Sequence, residues 1–285
     1  MKIIDAHVHY SRIASFYDCA QRTTHVDYSE RGYLAEAAEN NVVGSVCMGL
    51  TELSPAGFPD ADARTPMMAD LADRLPPEMM LCPGINPHTL NERSIAETEE
   101  LIKCGANIVG MKIYAGYYHF HVFDPIYDPV YDLAENHDIA IVIHTGDTYS
   151  DRGLLKYAHP LCLDELAVKR PSLRIVACHL GTPWVFDACE VAAKNRNVYL
   201  DMSGLLVDSA EYIHRQAENP LIIDRYRQAL AYLDNYDKLL YGTDWPLAPM
   251  GAYLNFCKSL VPPEAHEKVF YENAIKVFRL NERGL

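Results

Sequence analysis

"IAIVIH" (residues 139–144) decides the fold. Five apolar residues follow one another without alternation, which is the composition of a strand covered on both faces rather than one with a wet side. The run stops at a histidine. "RIVACH" (174–179) repeats the pattern, again ending in histidine. Working outward from these two, comparable short runs rich in Val, Ile and Leu fall at residues 2–9, 43–49, 79–84, 107–114, 198–203 and 239–244. Eight apolar runs alternating with helical stretches imply repeated βαβ units and a parallel sheet.

The helical stretches carry their own punctuation. "SERGYLAEAAENN" (29–41) has Ser29 placed to cap its start, and "ERSIAETEELIKCG" (92–105) stops at Gly105. "GTPWVFDACEVAAKN" (181–195) places Thr182 at the cap and Pro183 in the first turn, where proline is tolerated. Residues 209–237 read as two helices broken near Pro220, and "PPEAHEKVFYENAIKVFRL" (262–280) reads as a closing helix. No linker or internal repeat interrupts the 285 residues, so one domain over 1–285 is expected. Eight βα units in this length fit a (β/α)8 barrel, whose usual size is about 250 residues. A doubly wound open sheet would normally show a glycine-rich turn after its first strand, and "HVHYSRIAS" (7–15) contains no glycine.

Composition narrows the partners. With 49% hydrophobic residues the chain has ample material for a core, yet no apolar run approaches the roughly 18 residues of a membrane span. A formal net charge of -14 disfavours a nucleic-acid partner, which needs a positive stripe. Eight scattered cysteines form no C-x-x-C pair and several sit inside apolar runs, so they read as reduced, buried thiols. The start lacks the features of a secretory signal, and a cytoplasmic protein acting on a small molecule is the expectation.

"MKIIDAHVHY" (1–10) supplies the chemistry. By strand alternation His7 and His9 share a side, together with Asp5 and Ile3, while Ile4, Ala6 and Val8 face the other way. Two imidazoles on one side can pinch a metal ion. In a barrel, functional groups collect at the C-terminal ends of strands, so a metal site demands further ligand-type residues at other strand ends. His144, His179 and Asp244 meet that demand, at the ends of the fifth, sixth and eighth runs. A second H-x-H pair, His119 and His121 in "GYYHFHVFD" (116–124), follows no strand end directly and reads as loop or pocket lining.

"IDAHVH", "VIHTGDT", "ACHLGTPW", "GTDWP" and "ENAIKVF" together resemble the amidohydrolase superfamily, most closely its amidohydrolase-related branch of metal-dependent hydrolases and decarboxylases. The resemblance spans nearly the whole chain. It implies that His7, His9, His144 and Asp244 hold one divalent metal, zinc first with manganese or iron as alternatives, and that His179 works beside it as acid, base or carbonyl-polarising group. Asp244 would take a proton from water. The implied reaction is hydrolysis of an ester, lactone or amide in a small organic acid, a carboxylate; the alternative is a decarboxylase or hydratase of the aminocarboxymuconate-semialdehyde type. Homo-oligomers are expected by analogy.

Lys112 forks the reading. Near the end of the fourth run, it either grips a substrate carboxylate, or is carboxylated and bridges a second metal shared with His179, or is a buried lysine paired with a carboxylate. Tyr114 is the aromatic residue of the following loop best placed to reach the site. Arg12 either binds an anionic group or caps a loop, and Trp184, Asp147 and Asp201 are pocket or supporting residues, or else turn and packing residues. Asp5 either fixes a histidine tautomer or supports the barrel interior.

Overall fold

The computed structural model describes residues 1–50, 69–105 and 107–283. All eight apolar runs form strand: β1 Ile3–Val8, β2 Val42–Met48, β3 Met79–Cys82, β4 Gly84–Ile85, β5 Gly110–Ile113, β6 Ala140–Ile143, β7 Ile175–Ala177, β8 Val198–Asp201 and β9 Leu239–Leu240. The third run is split into β3 and β4 by Pro83, which has no N–H for the ladder. Between them run α1 Ala14–Cys19, α2 Glu30–Glu39, α3 Glu92–Lys103, α4 Asp128–Asn136, α5 Leu155–Ala158, α6 Cys162–Lys169, α7 Val185–Lys194, α8 Ala210–Ala217, α9 Pro220–Leu233, α10 Met250–Leu260 and α11 Asn273–Val277.

Every strand pairing is parallel, in the order β1-β2-β3 and β4-β5-β6-β7-β8-β9. The seams between the two groups are also bonded. Leu81 N–H donates to Asn107 O (2.8 Å), and Val109 N–H donates to Leu81 O (2.9 Å). On the other side Ala6 N–H reaches Tyr241 O and Asp244 N–H reaches His7 O, both at 2.8 Å. The last strand therefore returns to the first, and the chain is a (β/α)8 barrel.

Two apolar layers follow from strand alternation. Ile4, Ala6, Val46, Met80, Val142, Val176 and Leu240 cluster across non-neighbouring strands, joined by Ala274, Ile275 and Phe278 from the closing segment. This is the barrel interior, stoppered at the N-terminal ends of the strands by α11, where Arg174 Nε also bonds Val277 O (2.9 Å). The intervening residues, such as Ile141, Ile143 and Ile175, face the helices in the second cluster. Full burial of each such side chain contributes about 1.5–3 kcal/mol, so the barrel wall carries much of the stability that keeps the strand ends in place.

Helix starts follow the sequence signals with two exceptions, one of them the closing helix expected over 262–280, which is broken into short turns with α-helix only at Asn273–Val277. Ser29 accepts from Gly32 N–H (3.1 Å) to cap α2, and Asn91 and Ser94 form a reciprocal capping box on α3. The helical segment at 209–237 divides into α8 and α9 with Pro220 opening the second. In contrast, α7 starts at Val185 with Trp184 as its cap residue, later than the Thr182–Pro183 start expected from sequence. The Thr182–Pro183 and Trp245–Pro246 peptides are cis. Among the described residues no helix is long and apolar enough to cross a membrane.

One departure in β1 places the site. Simple alternation would put His7 on the opposite side from Ile4 and Ala6. The pairing of β1 with β2 is irregular between Asp5 and Val8, so Ile4 and Ala6 face the interior while Val8 joins Ile3 on the helix side. Such a bulge re-aims side chains. Here it turns His7 and His9 into the C-terminal mouth and separates them from Asp5.

Candidate active site

His7, His9 and Asp244 place ligand atoms within 4.8 Å of one another, all buried. His9 Nε2 lies 3.0 Å and His7 Nε2 3.3 Å from Asp244 Oδ1. The outer nitrogens are anchored: His7 Nδ1 lies 2.9 Å from Asp201 Oδ2, and His9 Nδ1 lies 3.2 Å from the Met48 carbonyl. Both outer partners only accept, so each ring carries its proton on Nδ1 and turns a lone pair on Nε2 toward Asp244. His7 Nε2 and Asp244 Oδ1 are buried with no hydrogen-bond partner among the described residues. Two ligands about 2.1 Å from a common ion at a tetrahedral angle sit about 3.4 Å apart. The unsatisfied atoms have that spacing, and the donor set fits a divalent cation.

A second pair of lone pairs lies alongside. His144 Nε2 faces the Asp147 carbonyl (2.8 Å), and His179 Nδ1 faces the Ser203 carbonyl (3.1 Å). Their other nitrogens, His144 Nδ1 and His179 Nε2, therefore meet at 3.2 Å without a proton of their own. His144 stands outside the trio of His7, His9 and Asp244. Strain concentrates here too: His179 (φ 62) and Asp244 (φ 67) adopt the left-handed conformation, uncommon for non-glycine residues and often tied to function.

Asp201, at the end of β8, ties these groups together. Its carboxylate accepts from His7 Nδ1–H, from His179 N–H (3.0 Å), from Ser203 N–H (3.0 Å) and from the Ser203 hydroxyl. Burial pushes its pKa up, but His7, His179 and Lys112 outweigh burial and hold it well below the usual carboxylate range. Asp244 behaves alike: burial opposes ionisation, and His7, His9 and His179 overcome it. For His7, burial and then Lys112 favour the neutral ring, bringing its pKa down to about 4 against the pull of Asp201 and Asp244. Burial likewise keeps His144 well below 6.5. Neutral imidazoles beside ionised carboxylates are the state in which these groups bind cations.

Asp5 supports the barrel end and does not fix a tautomer. It accepts from Thr243 N–H (2.9 Å), Thr243 Oγ1–H (2.6 Å) and His7 N–H (3.2 Å), clasping β1 to the segment that carries Asp244. Burial raises its pKa to about 7.

Lys112 is fully buried, with Nζ 2.8 Å from Cys178 Sγ and 5.3 Å from the Tyr114 ring centroid. No carboxylate within 4.0 Å pairs with it among the described residues, so the buried-ion-pair reading does not hold. Tyr114 donates its hydroxyl to Gly49 O (3.0 Å). Both line a cavity of about 210 Å³ with His7, His9, His144, His179 and Asp244. Phe16, whose ring lies 4.6 Å from that of His9, and Tyr117, 4.9 Å from His144, complete the aromatic wall. Sequence reasoning did not single out Phe16 or Tyr117: Phe16 lies in a segment without strand or motif signals, and Tyr117 belongs to the aromatic loop from which only Tyr114 was chosen.

Two expected contacts lie elsewhere. Arg12 sits at the surface, pairing with Asp73 (3.2 Å) and donating its backbone N–H to Asp70 (3.0 Å). Trp184 packs its ring 4.6 Å from that of His159 and is not part of the cavity lining. The second H-x-H pair also stays outside, His119 stacked on Tyr157 and His121 on Phe123. Gly204 was overlooked altogether. With φ +61, it lets the backbone pass where a Cβ would lie 2.8 Å from both Asp244 Oδ2 and His179 Nδ1.

A closed parallel α/β barrel with histidines and a carboxylate gathered at its C-terminal mouth defines an enzyme-like barrel with a candidate metal centre. The chain belongs to the amidohydrolase family, whose model matches residues 4–280. Among solved structures it is similar to an uncharacterized TIM-barrel protein from Bordetella bronchiseptica, at 22% identity and TM-score 0.72, covering 99% of this chain and 100% of that one. It is also similar to a probable 2-pyrone-4,6-dicarboxylic acid hydrolase from Acinetobacter baumannii with citric acid bound, at 17% identity and TM-score 0.67, covering 98% and 100%. A third is 5-carboxyvanillate decarboxylase from Novosphingobium aromaticivorans DSM 12444, complexed with manganese and 4-hydroxy-3-methoxy-5-nitrobenzoic acid, at 14% identity and TM-score 0.62, covering 98% and 96%. Among curated proteins, none matches the chain. The family and these neighbours comprise hydrolases and decarboxylases alike.

Proposed function

We propose that this chain is a single-domain, metal-dependent hydrolase of a small carboxylate, cleaving an ester, lactone or amide bond. The observation that carries the reading is the pair of buried, unpartnered atoms, His7 Nε2 and Asp244 Oδ1, facing one another at 3.3 Å beside His9 Nε2. His7, His9, Asp244 and, as fourth ligand, His144 would hold one divalent ion, with zinc the first expectation for a nitrogen-rich set. When bound, such an ion polarises a carbonyl and brings the pKa of water to about 7.

The chain's own residues do the rest. Asp244 keeps Oδ2 as a second carboxylate oxygen that can accept a proton while Oδ1 is committed to the centre. His179, whose Nδ1 lies 3.9 Å from Asp244 Oδ2, lines the same cavity and works beside the centre as acid, base or carbonyl-polarising group. Lys112 lacks a carboxylate partner, so a substrate carboxylate in the cavity supplies the missing anion. Phe16, Tyr114 and Tyr117 wall that cavity and exclude water from the reacting face.

A second reading keeps the centre and changes the reaction to non-oxidative decarboxylation. It draws support from the aromatic wall around Lys112, which suits a flat unsaturated or aromatic acid. Product analysis separates the two: incubation with lactone and ester acids should release the ring-opened or free acid without carbon dioxide. Carbon dioxide release from an aromatic acid, with no hydrolysis of any ester or lactone, contradicts the hydrolase.

A further inference from the structure

The cavity that holds the proposed centre changes character along its depth. At its floor His7, His9, His144 and Asp244 are all buried. At its mouth stand Tyr149, 69% exposed, and Val207, 39% exposed, with the half-buried Leu247. Both exposed side chains are carried on anchored backbone. Tyr149 N–H donates to the Tyr117 hydroxyl (2.9 Å), and its segment is tied down on either side by Asp147 N–H to Thr182 O (2.9 Å) and Leu154 N–H to Gly116 O (2.8 Å). Val207 lies between Leu205, whose N–H donates to the Tyr253 hydroxyl (2.8 Å), and Ser209, whose side chain caps α8. The loops after β6 and β8 thus present apolar side chains to solvent at one mouth. Single exposed apolar side chains need no explanation, but apolar side chains grouped at a binding cavity mark a surface that a ligand covers.

Size and charge define what covers it. The cavity's volume of about 210 Å³ exceeds only modestly the roughly 150 Å³ of a cavity that holds benzene, so a substrate larger than one ring extends onto Tyr149 and Val207. Asp147 is exposed and lines the same cavity, and a carboxylate arriving beside it meets a like charge. We infer that the substrate is an amphipathic mono-acid: the scissile bond lies at the floor, and an apolar group that reaches past the mouth and bears no second carboxylate seats against Tyr149, Val207 and Leu247. The inference rests on the metal centre proposed above and deepens it by naming the end of the substrate that does not react. Tyr149 and Val207 are then specificity-determining residues, because the apolar area they cover strengthens binding in proportion to its extent.

Hydroxamates test this by binding alone, since their head ligates a metal ion and their tail can be lengthened. Isothermal titration calorimetry of the zinc-loaded chain compares butyrohydroxamate, short enough to stay within the cavity, with octanohydroxamate, whose tail passes the mouth. Octanohydroxamate should bind at least about tenfold tighter, each buried methylene being worth up to about fourfold. Suberic monohydroxamate, of equal length but ending in a carboxylate, should bind at least about tenfold weaker than octanohydroxamate. In Tyr149→Ala and in Val207→Ser the ratio of octano- to butyrohydroxamate affinity should fall severalfold. A general loosening of the fold weakens both probes alike and leaves that ratio in place. A wild-type ratio near one, a ratio retained in both variants, or suberic monohydroxamate binding as tightly as octanohydroxamate overturns the inference and leaves the metal centre standing. Failure of butyrohydroxamate to bind the zinc-loaded chain, or equal binding to the metal-stripped chain, overturns the proposed function together with the inference.

Discussion

Asp201 Oδ2 lies 2.9 Å from His7 Nδ1, and the same carboxylate receives the backbone N–H of His179 at 3.0 Å. One side chain at the end of β8 thus sets the tautomer of a proposed ligand and the backbone of its neighbour. The bond leaves His7 Nε2 as the free lone pair facing Asp244. Outer carboxylates of this kind orient metal-bound histidines and raise their basicity.

Asp201→Asn should therefore weaken metal binding by about 10–100-fold with the barrel still folded. The amide can donate to His7 as well as accept from it, so the ring is no longer held in one tautomer. Competition against a chelator of known affinity measures the effect, with circular dichroism as the control for folding. Wild-type affinity in a folded Asp201→Asn chain is the contrary result.

Gly204→Ala places a methyl 2.8 Å from Asp244 Oδ2 and His179 Nδ1 at a backbone with φ +61. The left-handed conformation alone costs about 1–2 kcal/mol for an L-residue, and the added carbon pushes on both side chains. A lower thermal midpoint and loss of turnover beyond that explained by unfolding are expected. A variant with unchanged stability and turnover contradicts the close approach.

Asp5 sets a pH dependence that can be isolated by subtraction. Burial raises its pKa from 3.8 to about 7, so the folded state prefers the protonated acid. Its contribution to stability is fully present below pH 3.8 and is lost as pH rises through 7. Asn at this position mimics the protonated acid, donating to Thr243 Oγ1 and accepting from Thr243 N–H. The stability of Asp5→Asn minus that of the wild type, both metal-free, should rise between pH 3.8 and 7. At about 1.4 kcal/mol per unit the rise is at most about 4 kcal/mol. Urea unfolding at several pH values measures it, and a flat or falling difference contradicts the assignment.

Asp244→Asn removes the proposed proton acceptor and one anionic ligand while keeping the side-chain shape. Turnover of any substrate found should fall at least about 10²–10⁴-fold, and the far-ultraviolet circular dichroism should match the wild type. Retained turnover removes Asp244 from the mechanism.

Strand ends were the legible part of this sequence. His144, His179 and Asp244 each terminate an apolar run, and a barrel brings such ends to one mouth whatever the loops do. Partnerships across the mouth were less legible. Asp201 meets His7 only because the last strands return to the first, and nothing local marks it beyond its place after "VYL" (198–200). The reading of β1 by strict alternation grouped Asp5 with His7. The irregular pairing between Asp5 and Val8 separates them, and a shift of register leaves no trace in a residue pattern. Arg12 and Trp184 follow motifs closely in sequence, but Asp73 and His159 draw them to other contacts.

Elemental analysis of the purified chain after loading with zinc or manganese, beside the His7→Ala, His9→Ala double variant treated identically, tests the central claim most directly. The account predicts about one divalent ion per wild-type chain and none retained by the double variant. A wild-type chain that holds no metal after loading, or a folded double variant that keeps its ion, contradicts it.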